Sequence, residues 1–129
     1  MVKWINSELH IENDWYEIRC HINRTNHLKV YLYGLKNRKN QFCIDFGKIL
    51  FYKAIDEGWE LNPLEYTDNS VNPPLIHQAV LVELFDSHLR KDIQDAYPYS
   101  LHHYQVLGIN FGIDIIAQGS PVIMDDSNN

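Results

Sequence analysis

From Leu107 to Ile115 every second residue is large and apolar (Leu107, Ile109, Phe111, Ile113, Ile115). Every residue between is small or polar (Gly108, Asn110, Gly112, Asp114). Successive side chains of a strand point to opposite faces, so this pattern requires β-structure with one packed face. The small residues on the other side imply close approach by another element, or a bulge or turn at a glycine. The same period recurs in the first half. Tyr16, Ile18, Cys20 and Ile22 alternate with Glu17, Arg19 and His21, and Leu28, Val30 and Leu32 alternate with Lys29, Tyr31 and Tyr33. A strand from Gln41 to Phe46 turns Phe42, Ile44 and Phe46 inward, with Cys43 facing away from them. Turns at Asn13-Asp14 and at 23–26, and a basic loop at 34–40, make this half a meander of hairpins. An earlier strand through Leu9 and Ile11 is also expected.

The middle of the chain has a different character. Residues 48–57 suit a short helix ended by Gly58, or else a fifth strand. Residues 58–74 show neither period, as expected of a functional or mobile connection. Pro73-Pro74 then opens a helical stretch, proline being suited to a first helical turn. Leu75, Ile76, Ala79, Val80, Glu83 and Leu84 follow at helical spacing. Asp86-Ser87 caps a second helix or bends the first, and Leu89, Ile93 and Ala96 continue the stripe to Tyr97-Pro98. Gly119-Ser120-Pro121 is a turn and Val122–Met124 a short last strand. The fold class is therefore α+β: a mostly antiparallel sheet with one long or two shorter helices packed on one face. The 129 residues make one domain over 1–124, with a frayed tail at 125–129.

Several classes of function find no support in these residues. No apolar run approaches the ~18 residues of a membrane span, and Glu8 and His10 interrupt any signal-like core, so the expected location is the cytoplasm. Cys20, on the face of Tyr16 and Ile18, reads as a small core residue, and no Cys-x-x-Cys zinc motif occurs. The seven histidines form no His-Glu-x-x-His pattern, and adjacent His102 and His103 point to opposite faces of a strand. Neither a nucleophile elbow nor a Gly-rich phosphate loop is present. Hence no catalytic residue, metal ligand or cofactor is expected. The enzymatic alternative is a small hydrolase or nuclease using histidines near the sheet, such as His21, His102 or His103.

Charge is unevenly placed. Residues 1–53 hold nine Lys/Arg and five acids, whereas residues 54–89 hold seven acids and no Lys or Arg. The basic loop with Lys36, Arg38 and Lys39 reads as a solvated hairpin tip, and nucleic acid is not the expected partner. The acidic segment sets Trp59 and Tyr66 among Asp56, Glu57, Glu60, Glu65 and Asp68. Opposite charge speeds encounter with a basic protein and aromatic rings supply buried binding energy, so these seven residues are the candidate partner-binding site. The alternative use of the segment packs Trp59 and Leu61 onto the core while the acids face water.

In size, acidity, α+β layout, the segment Asp56–Asp68 and the closing run His102–Ala117, the chain resembles the small cytoplasmic immunity proteins that neutralise bacterial polymorphic or contact-dependent toxins. The resemblance implies a non-catalytic, stoichiometric inhibitor that covers a toxin's active site or docks beside it. Such families have diverse folds and no shared active-site signature, so no residue role transfers. A phage-encoded inhibitor of a host defence enzyme and a self-associating structural domain are the other expectations.

Overall fold

The structure, a computed structural model, describes residues 2–4, 11–12, 14–56 and 80–126. These form strands β1 (Val2–Trp4), β2 (Tyr16–Ile22), β3 (His27–Gly34), β4 (Gln41–Asp56) and β5 (Leu81–Leu84). Helix α1 (His88–Gln94) and strands β6 (His102–Leu107), β7 (Phe111–Ala117) and β8 (Val122–Asp125) follow. All the strand pairs are antiparallel, in the order β1-β5-β6-β7-β4-β3-β2, with β8 also on β4.

The pairing hinges on β4, whose 16 residues serve two sheets. Its C-terminal half pairs with β7 from Ile49 to Asp56, closing sheet I, which is β1-β5-β6-β7-β4. Its N-terminal half lies between β3 and β8, making sheet II of β2, β3, β4 and β8. The crossover is marked by register shifts at Leu28/Lys29 and Ile49/Phe51 and by Gly47, whose φ of 67° is costly for any residue with a Cβ. A strand that changes sheets by bulges and bends is how two sheets form a corner. The sheets then face each other across one core. Ile18, Leu28, Val30, Leu32, Ile44 and Phe46 come from sheet II, and Leu81, Tyr104, Val106, Ile113 and Ile115 from sheet I. The fold closes where Gly108, in the β6–β7 turn, abuts Ile18. A Cβ on Gly108 would lie 2.8 Å from Ile18 Cγ1 and 2.8 Å from the Phe111 carbonyl oxygen. Asn110 completes the join: its side chain accepts from Ile18 N and donates to Ile18 O, and Ile109 N donates to Tyr16 O.

The expected α+β class is corrected. Among the described residues the only helix is α1, seven residues long with none buried, so no helix packs across a sheet face. Val80, Glu83 and Leu84, placed above on a helix, belong to β5 or lead into it. The run Val80-Leu81-Val82-Glu83-Leu84 is apolar on both sides, as suits a strand between β1 and β6 that is buried on both faces. Such a run also fits an i, i+3, i+4 pattern by chance, and periodicity cannot separate the two. Residues 48–56 continue β4, so the strand alternative holds there in place of the helix. The expected stripe of Leu89, Ile93 and Ala96 is not packed into a core: Leu89 and Ile93 are half-buried and Ala96 is exposed. Cys20 is exposed and Cys43 buried, the reverse of the expectation for Cys20. β2 is an outer strand whose inward residues Tyr16, Ile18 and Ile22 pack on the core, while Cys20 between them is left exposed. Asp125, assigned above to the tail, pairs with Phe42 in β8. Leu9, the stretch 57–79 and the end of the chain from 127 lie outside the described residues.

Candidate functional site

Asp56 closes β4 opposite Phe111. The remaining candidate partner-binding residues, Glu57, Trp59, Glu60, Glu65, Tyr66 and Asp68, lie outside the described residues. The described part of the molecule does show how its histidines are used, and each of the three described next meets an acid of its own.

The most enclosed arrangement is on the face of sheet I that points away from the shared core. There Val82, Leu84, Leu107 and Ile116 surround Ser87, His103, Gln105 and Asp114, and all four polar side chains are buried. Ser87 caps α1: its Oγ accepts from Arg90 N at 3.0 Å. The same oxygen is 2.6 Å from His103 Nδ1, and His103 Nε2 is 2.8 Å from Asp114 Oδ1. Gln105 Nε2 donates to that carboxylate oxygen at 2.7 Å. One proton arrangement satisfies the chain: Ser87 O–H donates to Nδ1, and Nε2–H donates to Asp114. Asp114 Oδ2 and Gln105 Oε1 are also buried, and neither has a hydrogen-bond partner.

The order Ser–His–Asp is that of a nucleophilic relay. Here, however, His103 and Asp114 have fully buried side chains, and Ser87 is buried and spends a lone pair on capping the helix. What the arrangement does is tie the start of α1 to β6 and β7. Neither alternation nor a motif signals it. Asp86-Ser87 was legible as a cap, but the meeting of residues 87, 103 and 114 depends on the β6–β7 hairpin register.

On the opposite face of β6, His102 Nδ1 meets Glu83 Oε2 at 2.9 Å and its ring stacks on Tyr104. Burial, with Glu83 nearby, pushes the Tyr104 phenol up to about 12. His21 is exposed on β2 in the other sheet. The three histidines a hydrolase would use are thus not brought together. Among the described residues no three His, Cys, Asp or Glu side chains gather to hold a metal ion.

The third pair, His27 Nε2 with Asp45 Oδ1, lies where β4 changes sheets. Burial raises the Asp45 carboxyl, but the Gly47 N–H and His27 outweigh it and hold the group below its ordinary value. The pair borders an open cleft of about 530 Å³ that Lys48, Gln118, Ser120 and Val122 also line.

Asp14 is a structural clamp. Its carboxylate accepts from the backbone N–H groups of Trp15, Lys36 and Asn37 and from Asn40 Nδ2, fixing the basic 34–40 loop. Burial raises this carboxyl, and the four donors together bring it below its ordinary value.

No helix among the described residues is long and apolar enough to cross a membrane. Comparison of the chain with protein-family models, with curated proteins and with solved structures finds no match.

Proposed function

We propose that this domain is a non-catalytic binder that inhibits a basic protein partner, as the immunity proteins of bacterial toxin systems do in the cytoplasm. The observation that carries the reading is the acidic stretch 54–89, with seven acids and no Lys or Arg, interleaved with Trp59 and Tyr66. The stretch begins at the end of β4, a strand anchored in both sheets, so its first residues leave a fixed point of the scaffold. Fixing one end of a binding segment lowers the entropy lost when the partner arrives.

The hydrolase reading draws less support. His102 and His103 face opposite sides of β6, His21 stands on the other sheet, and the Ser87–His103–Asp114 chain is sealed from solvent.

The proposal predicts a division of labour. Acids raise the association rate, and salt weakens their pull over a Debye length of ~8 Å at physiological ionic strength. Buried rings govern dissociation. With a partner captured from the source cell, Glu57→Lys plus Glu60→Lys should slow association in surface plasmon resonance. Trp59→Ala should speed dissociation without lowering the melting temperature. Strong destabilisation by Trp59→Ala, together with unchanged binding by the double lysine variant, would remove the proposal.

A further inference from the structure

We infer that the outer face of sheet II binds single-stranded nucleic acid, with Tyr31 and Tyr33 as stacking rings and Arg19, Lys29 and Lys48 as phosphate contacts. This face is distinct from the acidic segment, and the inference does not depend on the preceding one.

Pairing register places these side chains together. β3 lies between β2 and β4. Arg19 stands opposite Tyr31, Glu17 opposite Tyr33, and Lys48 opposite His27. The inward residues of β3 (Leu28, Val30, Leu32) are fully buried, so Lys29, Tyr31 and Tyr33 take the outer side and are partly exposed. Two residues along a strand span about 7 Å, which sets the two tyrosines side by side on the central strand. Arg19 lies over Tyr33, its guanidinium carbon 5.4 Å from the ring centroid, adding a flat cation to the aromatic row. Trp15 and Leu35, 40% and 49% exposed, extend the face beside the basic 34–40 loop. The cleft at His27, Lys48 and Ser120 closes its other end.

The chain carries a net charge of −6, yet the part of it that builds β2, β3 and the first half of β4 is on balance basic. Residues 14–48 hold seven Lys/Arg and three acids. Two of those acids also bond internally while keeping their charge: Asp14 clamps the loop, and Asp45, opposite Lys29 in the ladder, holds His27 and Gly47 N. Glu17 remains, with Asp126 at the rim beside Gln41. An acidic polypeptide would also meet the charges but has no use for the rings. A base has a π-face for each ring and a phosphate for each cation, the combination that sequence-tolerant single-strand binders use.

Fluorescence anisotropy with a labelled oligo(dT) of about 15 nucleotides, within the range of a single-domain site, tests the inference. A labelled poly-glutamate peptide of equal length is titrated beside it. We expect oligo(dT) binding at low salt, weakening steeply as salt rises because phosphate contacts release counterions. Lys29→Glu plus Lys48→Glu should weaken it at least about tenfold and flatten the salt slope. Tyr33→Ala should weaken it about tenfold with the slope unchanged, and Tyr33→Phe should restore it. Should Tyr33→Ala fail to fold, Arg19→Ala at exposed Arg19 replaces it, with a similar loss and, because Arg19 meets phosphate, a flatter salt slope expected. Glu57→Lys plus Glu60→Lys should leave oligo(dT) binding undiminished, which keeps this surface separable from the acidic segment. Absence of oligo(dT) binding at about 100 μM protein in low salt would overturn the inference. So would poly-glutamate binding of equal strength that Tyr33→Ala and Arg19→Ala leave intact.

Discussion

Sheet I and sheet II share a strand and an antiparallel plan, yet they treat their second faces in opposite ways. In the β5-β6-β7 part of sheet I both faces are buried, and the face away from the core encloses Ser87, His103, Gln105 and Asp114. Sheet II buries one face and leaves Glu17, Arg19 and His21 in water. A polar group on the first sheet must find a partner inside the fold, since burying it unpaired is costly. A polar group on the second can use solvent. The histidine–acid pairs show the difference directly. His103–Asp114 has fully buried side chains, whereas His27–Asp45 has side chains 38% and 22% exposed. Similar chemistry should therefore matter for stability in one place and contribute little in the other.

The largest effect should come from His103→Ala. It removes a donor from a buried carboxylate and the acceptor of Ser87 O–H together. The expected loss is about 3–5 kcal/mol, the range for breaking one side of a buried charged contact. Thermal unfolding measures it, and a loss below about 1 kcal/mol would mean that water reaches this face. Gly108→Ala should cost about 1–3 kcal/mol or more, because the new methyl meets both Ile18 and the Phe111 carbonyl at 2.8 Å. A neutral result would show that the two sheets can part at this corner.

Asp14→Ala should cost about 1–3 kcal/mol at neutral pH, by removing the one buried acceptor that four part-buried donors of Trp15 and the 34–40 loop share. Its pH dependence follows from the lowered carboxyl. The folded state holds this proton less tightly than the unfolded chain, so the contribution is complete above the unfolded value of about 4 and vanishes as pH falls through the lower folded value. Denaturant titrations of wild type and variant should therefore converge below about pH 4, and a gap that persists in acid would place the effect elsewhere. The smallest effect is expected for His27→Ala, below about 1 kcal/mol, because water screens this pair. A cost comparable to that of His103→Ala would erase the contrast between the sheets.

Local pattern made most strands legible. Tyr16–Ile22 and His27–Gly34 carry their alternation openly because each has one wet face. The pattern from Leu107 to Ile115 was also real, but it spans a hairpin turn at 108–110 rather than one strand, the glycine-turn reading of its small face. Legibility fell where both faces are dry. β5 has no polar side to set a period, so its apolar run read as a helix. The far half of β4 stayed ambiguous between helix and strand for want of its β7 partner.

The sequence by itself determined that antiparallel β-structure dominates the first half, that the basic residues precede residue 54, and that an acidic, aromatic stretch follows. These are properties of neighbours along the chain, set by side-chain chemistry and a period of two. Only the tertiary structure decided which charges remain outside. The loop amides hold Asp14 and His27 holds Asp45, whereas Arg19 and Lys48 stand exposed on sheet II. Likewise only the β6–β7 register, with the N-cap of α1 set beside it, brings Ser87, His103 and Asp114 into one line. Hydrogen bonds and burial act between residues close in space, and alternation along the chain carries no information about those distances.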